Sequence, residues 1–193
     1  MESIILKKNN PGFTLAEMLV TVGVFAIAMS VSSSIFINVN NLQQQTANMG
    51  KLQNEGRYVL EKISKEIRGR ELDYASTLLS ATGTTDILVF KKDELGDVYK
   101  IFFDHASSSI DVETDNVDTG IAKTAHLSSD EIIADRLEFK ISPVTDPYEV
   151  GALNPPLEQP RVTMVMLIKN RNVPDKYKKT LLLQTTISSK IYH

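Results

Sequence analysis

The sequence predicts an α+β fold in which one long N-terminal helix packs on an antiparallel β-sheet. Apolar residues run almost unbroken from Phe13 to Val39 and then recur at helical spacing as far as Ile67. After the helix, short runs rich in strand-forming residues are separated by turn residues, as antiparallel strands require. We therefore expect a helix from Thr14 to about Arg70, followed by the strands of the sheet.

The first half of this helix is long and apolar enough to cross a membrane. Residues 13–39 exceed the number needed to span a hydrocarbon layer of about 30 Å at about 1.5 Å per residue. Lys7 and Lys8 precede them. A positive flank keeps the N-terminus on the cytoplasmic side, so the rest of the chain lies outside. We expect a single-pass protein of the cytoplasmic membrane.

Glu17 is the one charged residue between Phe13 and Val39. An ionised side chain at the bilayer centre costs about 2.5–3.5 kcal/mol on insertion scales, so it needs a partner. If the chain is cut between Gly12 and Phe13, the new α-amino group lies about one helical turn from Glu17. A neighbouring subunit, shifted along the helix axis, can bring its amine to Glu17. The simpler alternative is that the Glu17 side chain reaches the lipid headgroups.

The N-terminal segment resembles the leader and cleavage signature of type IV prepilins, a class III signal peptide. A short basic leader is followed by a glycine, a phenylalanine and an aliphatic helix with one glutamate: Gly12, Phe13, Thr14, Leu15 and Glu17. The resemblance implies cleavage after Gly12 by a membrane-embedded prepilin peptidase and N-methylation of Phe13. It also implies that Glu17 sets the register of subunits in a filament. Major pilins usually carry a helix-kinking proline further along this segment, whereas residues 13–58 contain none.

Two later segments point to one branch of this family. Residues 57–68 resemble the helix end of large minor pilins and of J-like pseudopilins of type II secretion, and residues 180–189 resemble their final strand. The resemblance implies a structural subunit, of the minor kind, in a type IV pilus or in a type II secretion or competence pseudopilus. Its partners would be other pilin or pseudopilin subunits and the inner-membrane assembly platform, in an extracellular or periplasmic filament.

We divide the chain into four parts. Residues 1–12 are the leader, 13–39 the membrane and filament-core helix, 40–71 the amphipathic half of the same helix, and 72–193 a β-rich head. The helix face expected to pack in a filament is apolar: Leu15, Met18, Leu19, Val22, Phe25, Ala26 and Met29. Five of the seven prolines lie in residues 142–160, which predicts an extended surface loop.

The head is predicted to contain six strands, at residues 86–91, 98–103, 109–113, 136–141, 162–169 and 180–189. The fourth alternates most clearly, with Leu137, Phe139 and Ile141 on one face. Residues 170–179 are predicted to join the last two strands as a hairpin loop. On the helix, opposite charges at a spacing of four predict ion pairs: Glu61 with Lys65, Lys62 with Glu66, and Glu66 with Arg70.

The residue types needed for catalysis or cofactor binding do not form a recognisable pattern. The chain has no cysteine, which excludes a disulfide, a thiol nucleophile and a thiolate metal site. His105, His126 and His193 show no ligand spacing, and no serine occupies a nucleophile-elbow pattern. No phosphate-binding or dinucleotide-binding glycine motif is present. We therefore expect no enzymatic activity and no cofactor.

One acidic segment has alternating oxygen ligands of the kind that suit calcium: Asp111, Glu113, Asp115, Asn116 and Asp118, before Gly120. The match to an EF-hand loop fails because Asn116 stands where the sharp-turn glycine is needed. A solvated acidic hairpin is the simpler interpretation. We assign no metal site to this segment.

Charge is distributed unevenly along the head. Residues 93–138 hold twelve acidic and three basic residues, and residues 161–193 hold seven basic and one acidic residue. The two regions either pair within one fold or form complementary faces on successive subunits. Around the loop at residues 169–179, basic side chains surround Tyr177, so DNA phosphates are a further candidate ligand. The acidic balance of the rest of the chain opposes this DNA interpretation.

Two other classes of protein remain as alternatives. A secreted protein released by a conventional signal peptidase would be cut after a small-x-small pattern such as Ala26-Ile27-Ala28, although the apolar run continues to Val39. A membrane-tethered extracellular binding protein would keep its N-terminal anchor uncut. The mass of the mature N-terminus distinguishes both alternatives from a prepilin.

Overall fold

The structure is a computed structural model that describes residues 12–77, 79–92, 96–116, 120–147 and 159–189. These residues form one long helix, eight strands and a short 3-10 helix, which confirms the predicted α+β class. Helix α1 covers Leu15–Gly69, within one residue of the predicted bounds at each end. The strands are β1 Thr84–Thr85, β2 Ile87–Phe90, β3 Val98–Asp104, β4 Ser109–Asn116, β5 Ile121–His126, β6 Ile132–Ser142, β7 Arg161–Asn170 and β8 Thr180–Ser188.

The strands form two antiparallel sheets where we expected one. The first sheet has the order β2-β3-β4-β5 and the second has the order β1-β6-β7-β8. The chain changes sheet at Asp86, the single residue between β1 and β2. β1 pairs with β6 in the second sheet, whereas β2 pairs with β3 in the first. β7 and β8 pair along nearly their whole length, from Arg161 opposite Ser188 to Lys169 opposite Thr180, so the predicted hairpin is confirmed.

One face of α1 is buried between these strands. Its buried residues are Leu52, Gly56, Val59, Ile63 and Ile67, spaced three or four apart as one helical stripe. They share a single apolar core with residues of both sheets, including Phe90 and Ile101 from the first and Met164 and Ile168 from the second. Each large apolar side chain buried in this way contributes about 1.5–3 kcal/mol, so the core holds the helix to both sheets.

The helix and the second sheet come closest at Gly56. A Cβ atom at this position would lie 2.5 Å from Leu183 Cδ1 and 3.0 Å from Ile168 Cδ1. Nothing lies within 4 Å of the corresponding position at Gly50. Gly56 therefore permits β7 and β8 to pack against the helix backbone, whereas Gly50 has no such role.

The predicted strands are found, with changes at their ends, and two strands were missed. β5 is exposed along its whole length, so it lacks the buried alternation that marks a strand in sequence. β1 has only two residues. Of the proline-rich segment, residues 148–158 lie outside the described part of the chain, and β6 extends to Ser142 at its start.

The three predicted ion pairs along α1 are only partly formed. Arg70 Nε lies 2.9 Å from Glu66 Oε2, as expected. Lys62 instead lies over the ring of Tyr58, 5.6 Å from its centroid, so its pairing with Glu66 was predicted wrongly. Among the ion pairs between described residues, none joins Glu61 to Lys65. Solvent competes for such exposed pairs, which contribute only about 0.2–0.5 kcal/mol each.

The chain divides into two compact units, one up to Gln44 and the other from Gln45 onward. In the first unit, residues 12–40 are exposed throughout. On length and composition alone, α1 is the one helix in the described ranges that could cross a membrane, and its apolar stretch lies near the N-terminus. The second unit contains the core, both sheets and the rest of α1.

Candidate N-terminal assembly site

The start of α1 is closed by reciprocal hydrogen bonds between Thr14 and Glu17. The backbone N–H of Glu17 donates to Thr14 Oγ1 at 3.2 Å. The Thr14 backbone N–H and hydroxyl both donate to Glu17 Oε2, each at 2.9 Å. This is a capping box, in which residues at the N-cap and N3 positions satisfy each other's free backbone donors.

The capping box changes the interpretation of Glu17. Its carboxylate has two donors from Thr14 within the same chain, which fix its position without supplying a positive charge. Its other oxygen, Oε1, accepts no recorded hydrogen bond from the described residues. The spacing Thr-x-x-Glu before an apolar run is a known sequence signal for this cap, so the cap could have been predicted from Thr14 and Glu17.

The residues around the expected cleavage point are accessible. Gly12, Phe13 and Thr14 precede the helix and are exposed, with 77% of the Phe13 surface open to solvent. The apolar face expected to pack in a filament is exposed as well, from Leu15 at 85% to Met29 at 55%. Side chains of this kind need a lipid or protein environment, because an exposed apolar surface of this extent marks an interaction site.

Four hydroxyl groups inside the apolar segment donate to carbonyls of the helix itself. Thr21 donates to the Met18 carbonyl at 2.9 Å, and Ser30 donates to the Ala26 carbonyl at 2.9 Å. Ser33 and Ser34 bond carbonyls one turn earlier in the same way. Because hydrocarbon offers no hydrogen bonds, such internal bonds make a polar side chain compatible with a membrane or a dry filament core.

The acidic strand β4 does not form a metal site in the structure. Lys100 Nζ lies 2.7 Å from Glu113 Oε1 and 2.6 Å from Asp115 Oδ2, so a protein cation already occupies the space between these carboxylates. Both hydrogen bonds raise the pKa of Lys100. Asp118 lies outside the described residues. In the ranges that the structure covers, no group of three or more histidine, aspartate or glutamate side chains could hold a metal ion.

A serine, a histidine and a buried aspartate meet at the start of β4. Asp111 is only 3% exposed; its Oδ1 accepts a hydrogen bond from Ser109 Oγ and lies 2.7 Å from His126 Nδ1. The hydrogen bond with Asp111, together with the carboxylate charge, raises the pKa of His126. Ser109 faces the same ring nitrogen, at 3.5 Å. A catalytic triad needs the serine on the opposite nitrogen, so this cluster has a different geometry.

The side chains of the basic loop before β8 are engaged within the chain, two of them by carboxylates and two by neutral groups. Lys169 Nζ lies 2.6 Å from Asp135 Oδ1, and Lys178 Nζ lies 2.7 Å from Asp175 Oδ1. Lys176 lies over the ring of Tyr177 at 5.3 Å. Arg171 donates to the carbonyls of Ile132 and Ser107, both at 3.4 Å. These contacts weaken the DNA interpretation, because a phosphate would have to displace them.

Residues 7–33 match the family model of the prokaryotic N-terminal methylation motif. The chain therefore carries a type IV prepilin-like motif at its N-terminus, followed by a long apolar helix and two sheets. The motif includes both sides of the expected cleavage point and the capping box of α1. No curated protein and no solved structure matches the chain.

The matched motif is typical of pilin-class substrates of prepilin peptidase, and it points to assembly with other pilin subunits. The motif and the long apolar helix together indicate a membrane anchor. The described part of the chain thus has an N-terminal anchoring helix and a β-rich second unit, as the predicted fold class requires.

Proposed function

We propose that this chain is a minor subunit of a type IV pilus or of a type II secretion or competence pseudopilus. The observation that carries the proposal is an exposed apolar helix that begins with a capped glutamate, directly after an accessible glycine–phenylalanine pair. The similarity of residues 57–68 and 180–189 to minor components supports the minor role. The N-terminus would be cytoplasmic and the second unit periplasmic or extracellular, because Lys7 and Lys8 flank the apolar segment.

Processing occurs between Gly12 and Phe13 in this proposal. Prepilin peptidase removes residues 1–12, and Phe13 becomes the N-terminal residue and is methylated on its amine. Both residues are exposed and lie outside the helix, so the bond between them is accessible to a protease. Residues 13–39 then anchor the subunit in the membrane before they enter the filament core. Residues 40–71 and 72–193 remain outside the membrane.

Assembly uses both oxygens of the Glu17 carboxylate. Oε2 stays with Thr14 of the same chain and caps α1. Oε1 accepts a charge-assisted hydrogen bond from the Phe13 ammonium of a neighbouring subunit, which lies further along the helix axis. Such bonds are about twice as strong as neutral ones and gain further strength where water is excluded. This pairing sets the register between subunits.

Mass spectrometry of the N-terminus tests the proposal. The chain purified from its own host membrane should begin at Phe13 and carry a methyl group on its amine. A Gly12→Val variant should accumulate at full length, because a bulky side chain blocks cleavage. A wild-type chain that begins at Met1 would indicate a tethered binding protein with an uncut anchor. A chain that begins after Ala28 would indicate a conventionally secreted protein.

A further inference from the structure

Within the described ranges, the last strand of the second sheet has no strand paired along its outer edge. Proteins usually protect a free strand edge with charged residues, proline, a bulge or a covering segment. β8 has nine residues, none of them charged or proline, and it pairs with β7 in unbroken register. It pairs with no second strand among the described residues. Its outer backbone groups are therefore a template for another strand.

The other sheet edges carry the protection that β8 lacks. β1 is only two residues long. β2 is covered by the segment that follows α1, since Asp73 N–H donates to the Val89 carbonyl and Lys91 N–H donates to the Glu71 carbonyl. β5 includes Lys123 and ends at His126, whose ring is held by Asp111. Among the edge strands that the structure describes, β8 is thus the one without such protection.

An open groove lies between β8 and α1. It has a volume of about 630 Å³, and the residues that line it include Leu60 and Ser64 of the helix and Thr185 of the strand. At one end, Gly56 brings the helix against Leu183. At the other end, Ser189 Oγ donates to the Arg70 carbonyl at 3.5 Å. Fourteen helical residues between these contacts span about 20 Å, the length of an extended segment of about six residues.

The helix side of the groove is positively charged. Arg57, Lys65 and Arg68 line it, with Glu61 as the one acidic residue. All three cations are exposed, and none has an ion pair with another described residue. An antiparallel pairing of β8 with β8 of a second copy would bring two such basic walls together. Repulsion between like charges opposes that self-pairing and favours an acidic occupant.

We propose that the edge of β8 and the adjacent groove bind an extended acidic segment of a different protein, which adds to the second sheet as a further strand. Its backbone pairs with β8, and its acidic side chains alternate toward Arg57, Lys65 and Arg68. Strand addition of this kind takes its affinity from main-chain hydrogen bonds and its specificity from the alternate side chains. The segment belongs to a neighbouring filament subunit of different sequence, an assignment that rests on the proposed function.

A synthetic peptide of eight alternating valine and glutamate residues tests the proposal on the full chain in detergent micelles. Fluorescence anisotropy should show that it binds about tenfold more tightly than a valine–lysine peptide of equal length. That ratio corresponds to a difference of about 1.4 kcal/mol in binding free energy. The triple variant Arg57→Glu, Lys65→Glu and Arg68→Glu should reverse this preference. The control Lys62→Glu makes one such charge reversal on α1 beside Tyr58, away from the groove, and should not alter binding.

Hydrogen exchange on the same samples shows whether the backbone takes part. Bound peptide should slow exchange of the β8 amides that do not pair with β7. Equal binding of the two peptides, or protection confined to other elements, would overturn the proposal. So would dimers of the full chain that protect β8 without peptide, since the occupant would then be a second copy. The binding does not depend on cleavage after Gly12, so its failure is separate from failure of the proposed function.

Discussion

At the scale of single residues, Thr14 and Glu17 give the N-terminus two separable roles. The acid was expected to need a neighbouring ammonium, but the structure shows that it first caps its own helix. Glutamine also serves at the N3 position of a capping box. Glu17→Gln therefore removes the charge and keeps the cap, whereas Thr14→Val removes the capping hydroxyl and keeps the charge. The two variants separate helix capping from subunit pairing.

Thr14→Val should loosen the first turn of α1. Loss of an N-cap hydroxyl costs about 0.5–2 kcal/mol, because the backbone N–H of Glu17 loses its acceptor. Hydrogen exchange of residues 15–18 in the full chain in micelles should become faster by about tenfold. Thr14→Ser keeps the hydroxyl and should behave as wild type. If the amides of residues 15–18 exchange at the wild-type rate in the valine variant, the capping box does not hold the helix start.

The contact between His126 and Asp111 should appear as a pH effect. Asp111 raises the pKa of His126 above its ordinary value of about 6.5, with smaller contributions from Asp130 and Asp104. The stabilisation is complete below the ordinary value and is lost as pH rises through the elevated one. An NMR titration of the imidazole should give the raised midpoint, and Asp111→Asn should lower it. A midpoint that Asp111→Asn leaves unchanged would contradict this assignment.

At the scale of elements, the sequence is most informative where one face is buried and the other is exposed. Leu137, Phe139 and Ile141 were expected on one face of a strand, and all three are at most 2% exposed on β6. The bounds of α1 followed from its long apolar pattern. β5 could not be found, because an edge strand that buries nothing has no alternation to detect. The division into two sheets depends on pairing between distant segments, which periodicity does not report.

Gly50 and Gly56, two of the glycines within α1, should respond in opposite ways to alanine. Gly50→Ala should raise the free energy of unfolding of the full chain by about 0.5–1 kcal/mol, since alanine favours a helix and nothing lies within 4 Å. Gly56→Ala should lower it by about 1 kcal/mol, because overpacking against Leu183 and Ile168 outweighs the helical gain. Urea unfolding followed by the sheet signal measures both. Equal stabilisation by the two would show that β7 and β8 are not pressed against the helix.

At the scale of the whole molecule, the uneven charge along the chain is partly resolved by contacts within the fold. Lys169 from the basic region pairs with Asp135 from the acidic one, and Lys100 neutralises Glu113 and Asp115 within the first sheet. Arg57, Lys65 and Arg68, which have no ion pair with another described residue, lie instead on α1 beside β8, where the sequence pattern did not predict a groove. A groove depends on how a strand edge and a helix meet, so it becomes visible only in three dimensions.

The central claim is that a neighbouring ammonium pairs with the Glu17 charge during assembly. The most direct test is the amount of chain beginning at Phe13 in fibres sheared from cells, for wild type and for Glu17→Gln, normalised to processed chain in the membrane. A charge-assisted bond contributes about 1.5–3 kcal/mol, so the variant should be depleted at least about tenfold while cleavage after Gly12 is normal. Wild-type incorporation of Glu17→Gln would contradict the claim and leave Glu17 as a helix cap alone.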